Sequence, residues 1–74
     1  MQTEKIKIET EFIKLDQLLK FSGVAESGAM AKDMIFSEIV EVNGEVCTMR
    51  GKKIRSNDKV KVNFEDEALL LEVE

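Results

Sequence analysis

The dipeptide Asn43-Gly44 sits between two short segments, Val40-Glu41-Val42 and Glu45-Val46-Cys47-Thr48. Both residues tolerate the left-handed backbone angles of a two-residue type I′ turn, so the pair is the strongest short-range hairpin signal a sequence can carry. A hairpin commits the middle of the chain to antiparallel sheet, and the remaining segments must be arranged around it. Downstream, Asn57-Asp58 predicts a second turn. Val60, Val62 and Phe64 then alternate with Lys59, Lys61 and Asn63, the period of a half-buried strand. An acidic turn, Glu65-Asp66-Glu67, leads into a last strand over Leu69 to Val73. Upstream, Ile6 and Ile8 alternate with Lys5, Lys7 and Glu9 and predict a short strand over residues 5–9.

Between the first strand and the hairpin the period changes. Phe12, Leu15, Leu18 and Leu19 recur every three or four residues, which predicts one apolar helical face beginning near Phe12. Ser22-Gly23 ends it, glycine being free to take the positive φ that stops helices. A second helix is expected from Ser27, whose hydroxyl caps the first free amides. Its apolar stripe is Met30, Ala31, Met34 and Ile35, with Lys32 pointing away and Phe36 off the stripe. The order predicts an α+β domain, two amino-terminal helices packed on a small, mostly antiparallel sheet. The 74 residues are read as one domain, 1–74.

A domain this small buries only about 60% of its unfolded surface, so a deep substrate pocket would compete with the core for the same few apolar side chains. The chain has no histidine and one cysteine, Cys47. That removes the commonest general base and leaves no zinc site and no internal disulfide. Cys47 has no basic neighbour in its hairpin strand and reads as a small core residue. The four glycines are scattered and form no phosphate fingerprint. The acidic turn reads as a solvated surface, because burial is what tunes paired carboxylates for acid–base work and little is available to bury it. No enzymatic activity, cofactor or metal is expected. No apolar run approaches the roughly 18 residues that span a bilayer, and Met1–Thr10 does not look like a secretory signal. A reducing, cytoplasmic setting follows.

The net charge of −4 argues at first against a polyanionic ligand. The distribution matters more than the total. Residues 64–74 carry −5, whereas residues 11–63 carry nine basic and eight acidic groups. Within that body Arg50, Lys52, Lys53 and Arg55 place four cations in six residues around the flexible Gly51, a density that suits phosphate contacts and a solvated loop between strands equally well. Ser27-Gly28 opens a helix whose free amides are either simply capped by the serine, the commoner arrangement, or hold one phosphate, with room for its approach at the glycine. Lys14, Lys20 and Lys32 lie off the apolar stripes of the two helices. There is no Trp or Tyr, and Phe12, Phe21, Phe36 and Phe64 are expected mostly in packing. Base stacking on exposed rings is therefore not anticipated, and recognition of RNA backbone and shape is.

The runs KLDQLLK (Lys14–Lys20), ESGAMAKDMI (Glu26–Ile35), VEVNGE (Val40–Glu45) and RGKKIRSNDKVKV (Arg50–Val62) occur in one order over about residues 12–63. Together they resemble the RNA-binding domain named for ribosomal small-subunit protein four, the alpha-L motif. FIKLDQLLKFSGVAESGAMAK and MRGKKIR are similar to its short stand-alone bacterial YaaA-like members. The resemblance implies a positively charged RNA face built from the two helices and the following hairpin. It nominates Lys14, Lys20, Ser27, Gly28, Lys32, Arg50, Lys52, Lys53 and Arg55 as RNA contacts. It also implies a non-catalytic module whose partner is structured RNA, ribosomal or transfer, with a ribosome-associated protein as a further partner, no membrane, and a monomeric state. The alternative is a protein-interaction module that keeps the fold without the RNA affinity. The chain departs from the family pattern at Glu38, where a glycine usually follows the second helix, and at Glu41, where the hairpin often carries a basic residue.

Overall fold

A computed structural model describes residues 1–74. The elements run β1 (Gln2–Ile6), β2 (Ile13–Lys14), α1 (Leu15–Phe21), α2 (Gly28–Phe36), β3 (Val40–Val42), β4 (Glu45–Val46), β5 (Lys53–Ile54), β6 (Lys59–Asn63) and β7 (Ala68–Val73). Five strands form one sheet in the order β1-β7-β6-β3-β4, and β2 pairs with β5 in a separate two-stranded ladder. The larger sheet is antiparallel except where β1 joins β7 in parallel, Ile6 opposite Val73. This is an α+β protein with two helices and a mostly antiparallel sheet.

The hairpin forms as its sequence requires. Val42 pairs with Glu45, Asn43 takes φ 51° and Gly44 φ 89°. Asn43 does more than tolerate the turn. Its Oδ1 accepts from the Lys59 amide at 2.9 Å and its Nδ2 donates to Asp58 Oδ1 at 3.1 Å, tying the hairpin to the Asn57-Asp58 turn. In that second turn Asn57 has φ 77°.

Alternation then sorts the sheet. Val40, Val42, Val60, Val62, Leu71 and Val73 are buried on one face. On the exposed side the register partners Lys59 and Glu72 form the molecule's single ion pair, at 3.8 Å. Leu15, Leu18 and Leu19 of α1 and Ala31, Met34 and Ile35 of α2 close over the buried face, with Ala25 and Ile54 completing one core of 14 residues, all apolar.

Several local expectations shift. The first strand lies at residues 2–6 rather than 5–9, because pairing with β7 fixes its register and its own alternation is too short to do so. The first helix begins at Leu15, and Phe12 lies outside it. Lys14 occupies the cap position and offers no side-chain hydrogen bond there. Ser27 caps α2, its Oγ accepting from the Met30 amide at 3.1 Å. Met30, expected in the apolar stripe, is exposed. Cys47 is half-buried against the core, its thiol 3.7 Å from the Met49 carbonyl. After α2 the chain reverses through Glu38, which takes φ 63°, a conformation L side chains adopt at a cost.

Candidate nucleic-acid interface

The basic run Met49–Arg55 reads in sequence as a loop, yet it contains a strand. Ile54 is fully buried and pairs with Ile13, while Lys53 pairs with Lys14. Strand side chains alternate between faces, so the isoleucines anchor this ladder to the core and the lysines stand on the outer side. The loop is fastened further by the start of α1. The first amides of a helix have no partner inside it. Here the Leu15 amide donates to the Lys52 carbonyl at 2.8 Å and the Asp16 amide to the Arg50 carbonyl at 3.0 Å. The backbone of the basic loop is therefore the cap of α1, which explains why no capping side chain precedes that helix in the sequence.

These contacts bring Lys14 together with Arg50, Lys52, Lys53 and Arg55, residues as much as 41 positions apart in the chain. All five are exposed, and none is in an ion pair. One carboxylate is bonded to this segment, that of Asp58, and its partners are amide groups and not the cationic side chains. Its Oδ2 accepts from the Arg55 backbone amide at 2.8 Å and its Oδ1 from Asn43. None of the five cations therefore has a carboxylate partner in an ion pair. The pairing of Lys14 with Lys53 places like charges directly opposite across a ladder, which is unfavourable for folding alone.

The remaining nominated residues are exposed on the two helices: Lys20 at the end of α1, Ser27 and Gly28 at the start of α2, and Lys32 one turn in. No hydrogen bond, ion pair or cation–π contact links any of them to the loop cluster. A Cβ built on Gly28 would meet nothing within 4 Å, and its φ is not positive. The same holds for Gly51. Neither glycine is demanded by the fold.

The aromatic side chains correct an expectation. Phe21 is 66% exposed, Phe36 52% and Phe64 39%, and Phe12 is half-buried. They are not committed to packing, so the reason for setting base stacking aside does not hold. Lys32 Nζ lies 5.7 Å from the Phe36 ring centroid. Phe12 is the residue that sequence reasoning misplaced. Lys53 Nζ stands 4.9 Å and the Arg55 guanidinium carbon 5.9 Å from its ring centroid. The signal was present as a second period-two pattern, Phe12-x-Lys14 facing Lys53-x-Arg55, masked by the helical spacing from Phe12 to Leu19.

A cluster of exposed cations that form no internal ion pair, carried on a small α+β scaffold, is an arrangement suited to a polyanionic ligand. The chain belongs to the S4 domain family, whose model matches residues 6–69; S4 domains are generally RNA-binding. It is 42% identical over 57 residues to the probable ribosome maturation protein RlbA of Bacillus subtilis (strain 168), an alignment covering 77% of this chain and 80% of that protein. No helix is long and apolar enough to cross a membrane.

Proposed function

We propose that residues 1–74 form a single non-catalytic RNA-binding domain of the alpha-L type, which grips the backbone and shape of structured RNA. Ribosomal RNA is the ligand in this reading, and the domain works as a cytoplasmic monomer. Lys14, Arg50, Lys52, Lys53 and Arg55 make the central phosphate contacts, with Lys20, Lys32 and the Ser27-Gly28 start of α2 extending the surface. The observation that carries the reading is the convergence of five exposed cations, with no ion pair among them, on one ladder and one helix start. Membership of the S4 domain family supports it, as does similarity to a protein whose name refers to ribosome maturation.

The mechanism is electrostatic. Each phosphate neutralised by a lysine or arginine releases condensed counterions, and the resulting entropy drives association. The acidic segment Glu65–Glu67 lies in the turn between β6 and β7, so its charge belongs to a different part of the molecule from the β2/β5 ladder. The test is equilibrium binding of the purified protein to a structured ribosomal RNA fragment, beside the double charge reversal Lys52→Glu/Lys53→Glu. Tight binding by the parent and its collapse in the variant are expected. Equal binding by both proteins would refute the assignment. Sequencing RNA crosslinked to the protein in cells then identifies the ligand.

A further inference from the structure

Phe12 contributes little to the core. It is half-buried and is not among the partly buried apolar side chains packed against that core. The partners of its ring are instead the two cations of β5 and its continuation, Lys53 and Arg55. The ladder explains why. With Ile13 opposite Ile54 and Lys14 opposite Lys53, continuing the antiparallel register by one residue sets Phe12 opposite Arg55. Phe12, Lys14, Lys53 and Arg55 therefore share the outer face, while Ile13 and Ile54 share the inner one.

Three cations on one such face repel one another, and their long side chains would otherwise splay into solvent. An aromatic face attracts cations through its quadrupole. We infer that Phe12 is a positioning residue of the cationic face, its ring holding the Lys53 ammonium and the Arg55 guanidinium beside Lys14 in the spacing that phosphates of an RNA backbone meet. This rests on the RNA-binding reading above and adds a residue that carries no charge and donates no hydrogen bond to the ligand.

A positioning role has a signature that a charge contact lacks. The salt dependence of binding counts the phosphates neutralised, and Phe12 neutralises none. Replacing it changes how well the cations are pre-organised without changing their number, so affinity falls while the salt dependence stays the same.

The experiment compares the parent, Phe12→Leu, Phe12→Tyr and Lys53→Gln for binding to one structured ribosomal RNA fragment across a potassium chloride series. Phe12→Leu keeps an apolar side chain and removes the ring; its affinity is expected to fall about fivefold at every salt concentration, with an unchanged slope. Phe12→Tyr restores the parental affinity. Lys53→Gln makes the slope shallower by about 0.9, as loss of one phosphate contact requires. In the free protein the Lys53 ε-methylene protons are expected to be shifted upfield by the ring current, to lose that shift in Phe12→Leu and to keep it in Phe12→Tyr. An unchanged unfolding midpoint for Phe12→Leu separates positioning from packing. Parental affinity in Phe12→Leu, a reduced midpoint that accounts for its loss, or an unshifted Lys53 ε-methylene in the parent would each overturn the inference. Failure of the parent to bind RNA at any salt would instead sink the proposed function, while the ε-methylene shift would still report whether the ring holds Lys53.

Discussion

Neutralising Lys52 and Lys53 together gives the cationic cluster a quantitative test. Glutamine at both positions keeps most of each side-chain stem and removes two charges. Both side chains are exposed and neither makes a hydrogen bond, while the Lys52 carbonyl that caps α1 belongs to the backbone and survives the change. Exposed substitutions of this kind usually shift stability by no more than about 0.5 kcal/mol. Five phosphate contacts predict a slope of log affinity on log salt of about −4.5, a loss of about 500-fold between 50 and 200 mM salt. Three contacts predict a slope of about −2.7 and a loss of about 40-fold over the same interval. The coefficient per contact differs between duplex and single strand, from about 0.9 to about 0.7, but it scales both proteins alike, so the ratio of slopes should stay near three to five. If Lys20 and Lys32 also reach phosphate, the parental slope steepens to about −6.3 and the ratio moves to five to seven. Fluorescence anisotropy on a labelled RNA fragment at six or more salt concentrations measures both slopes. Equal slopes in parent and variant, or a parental slope near zero, would show that these lysines do not meet phosphate.

Other substitutions probe the scaffold. Glu38→Gly relieves a left-handed residue at the exit of α2 at a cost of about 1–2 kcal/mol, offset by about 0.5–1 kcal/mol for the entropy of glycine in the unfolded chain; urea unfolding should show a net gain of about 0.5–1 kcal/mol, and a loss would mean that Glu38 makes a compensating contact. Gly28→Ala meets open space and is expected to leave stability equal or raised by up to about 1 kcal/mol while weakening RNA binding several-fold; unchanged binding would remove the start of α2 from the interface. Ile54→Ala empties a fully buried position and should cost about 2–5 kcal/mol in thermal or urea unfolding, with the basic strand released from β2. Asn43→Ala loses two side-chain hydrogen bonds and leaves a left-handed residue without its partners; a cost of about 2–3 kcal/mol is expected, and a cost below about 0.5 kcal/mol would deny the hairpin its tie to the Asn57-Asp58 turn.

Much of the fold is legible where a local rule suffices. Asn43-Gly44 forms its turn because both residues tolerate the left-handed angles it needs. Ser27 caps α2 because its hydroxyl reaches an amide three residues on. The alternation of Val60 and Val62 survives because the sheet has one wet and one dry face. Where no local rule applies, the sequence misleads. Phe12 fits a helical stripe as well as it fits a strand, and what decides is the pairing of Ile13 with Ile54, 41 residues away. β1 slips three residues from its expected position because its pairing with β7 is remote and parallel. Hydrophobicity predicts Phe21 and Phe36 mostly in packing, but the core of 14 residues holds no phenylalanine and both rings are exposed.

The candidate interface divides in the same way. Residue identity determined that the chain holds clustered cations, no histidine and one strongly coded hairpin, and these are properties of composition and near neighbours. Tertiary structure decided that Arg50–Arg55 is partly a strand, that its carbonyls cap α1, and that Lys14 joins the cluster. It also decided that no carboxylate pairs with those cations and that an aromatic ring stands beneath two of them. The reason is physical: preferences of turns and caps act over a few residues and are written where they operate. The free amides at a helix start, by contrast, can be satisfied by any carbonyl the fold delivers, and no local pattern records which one arrives.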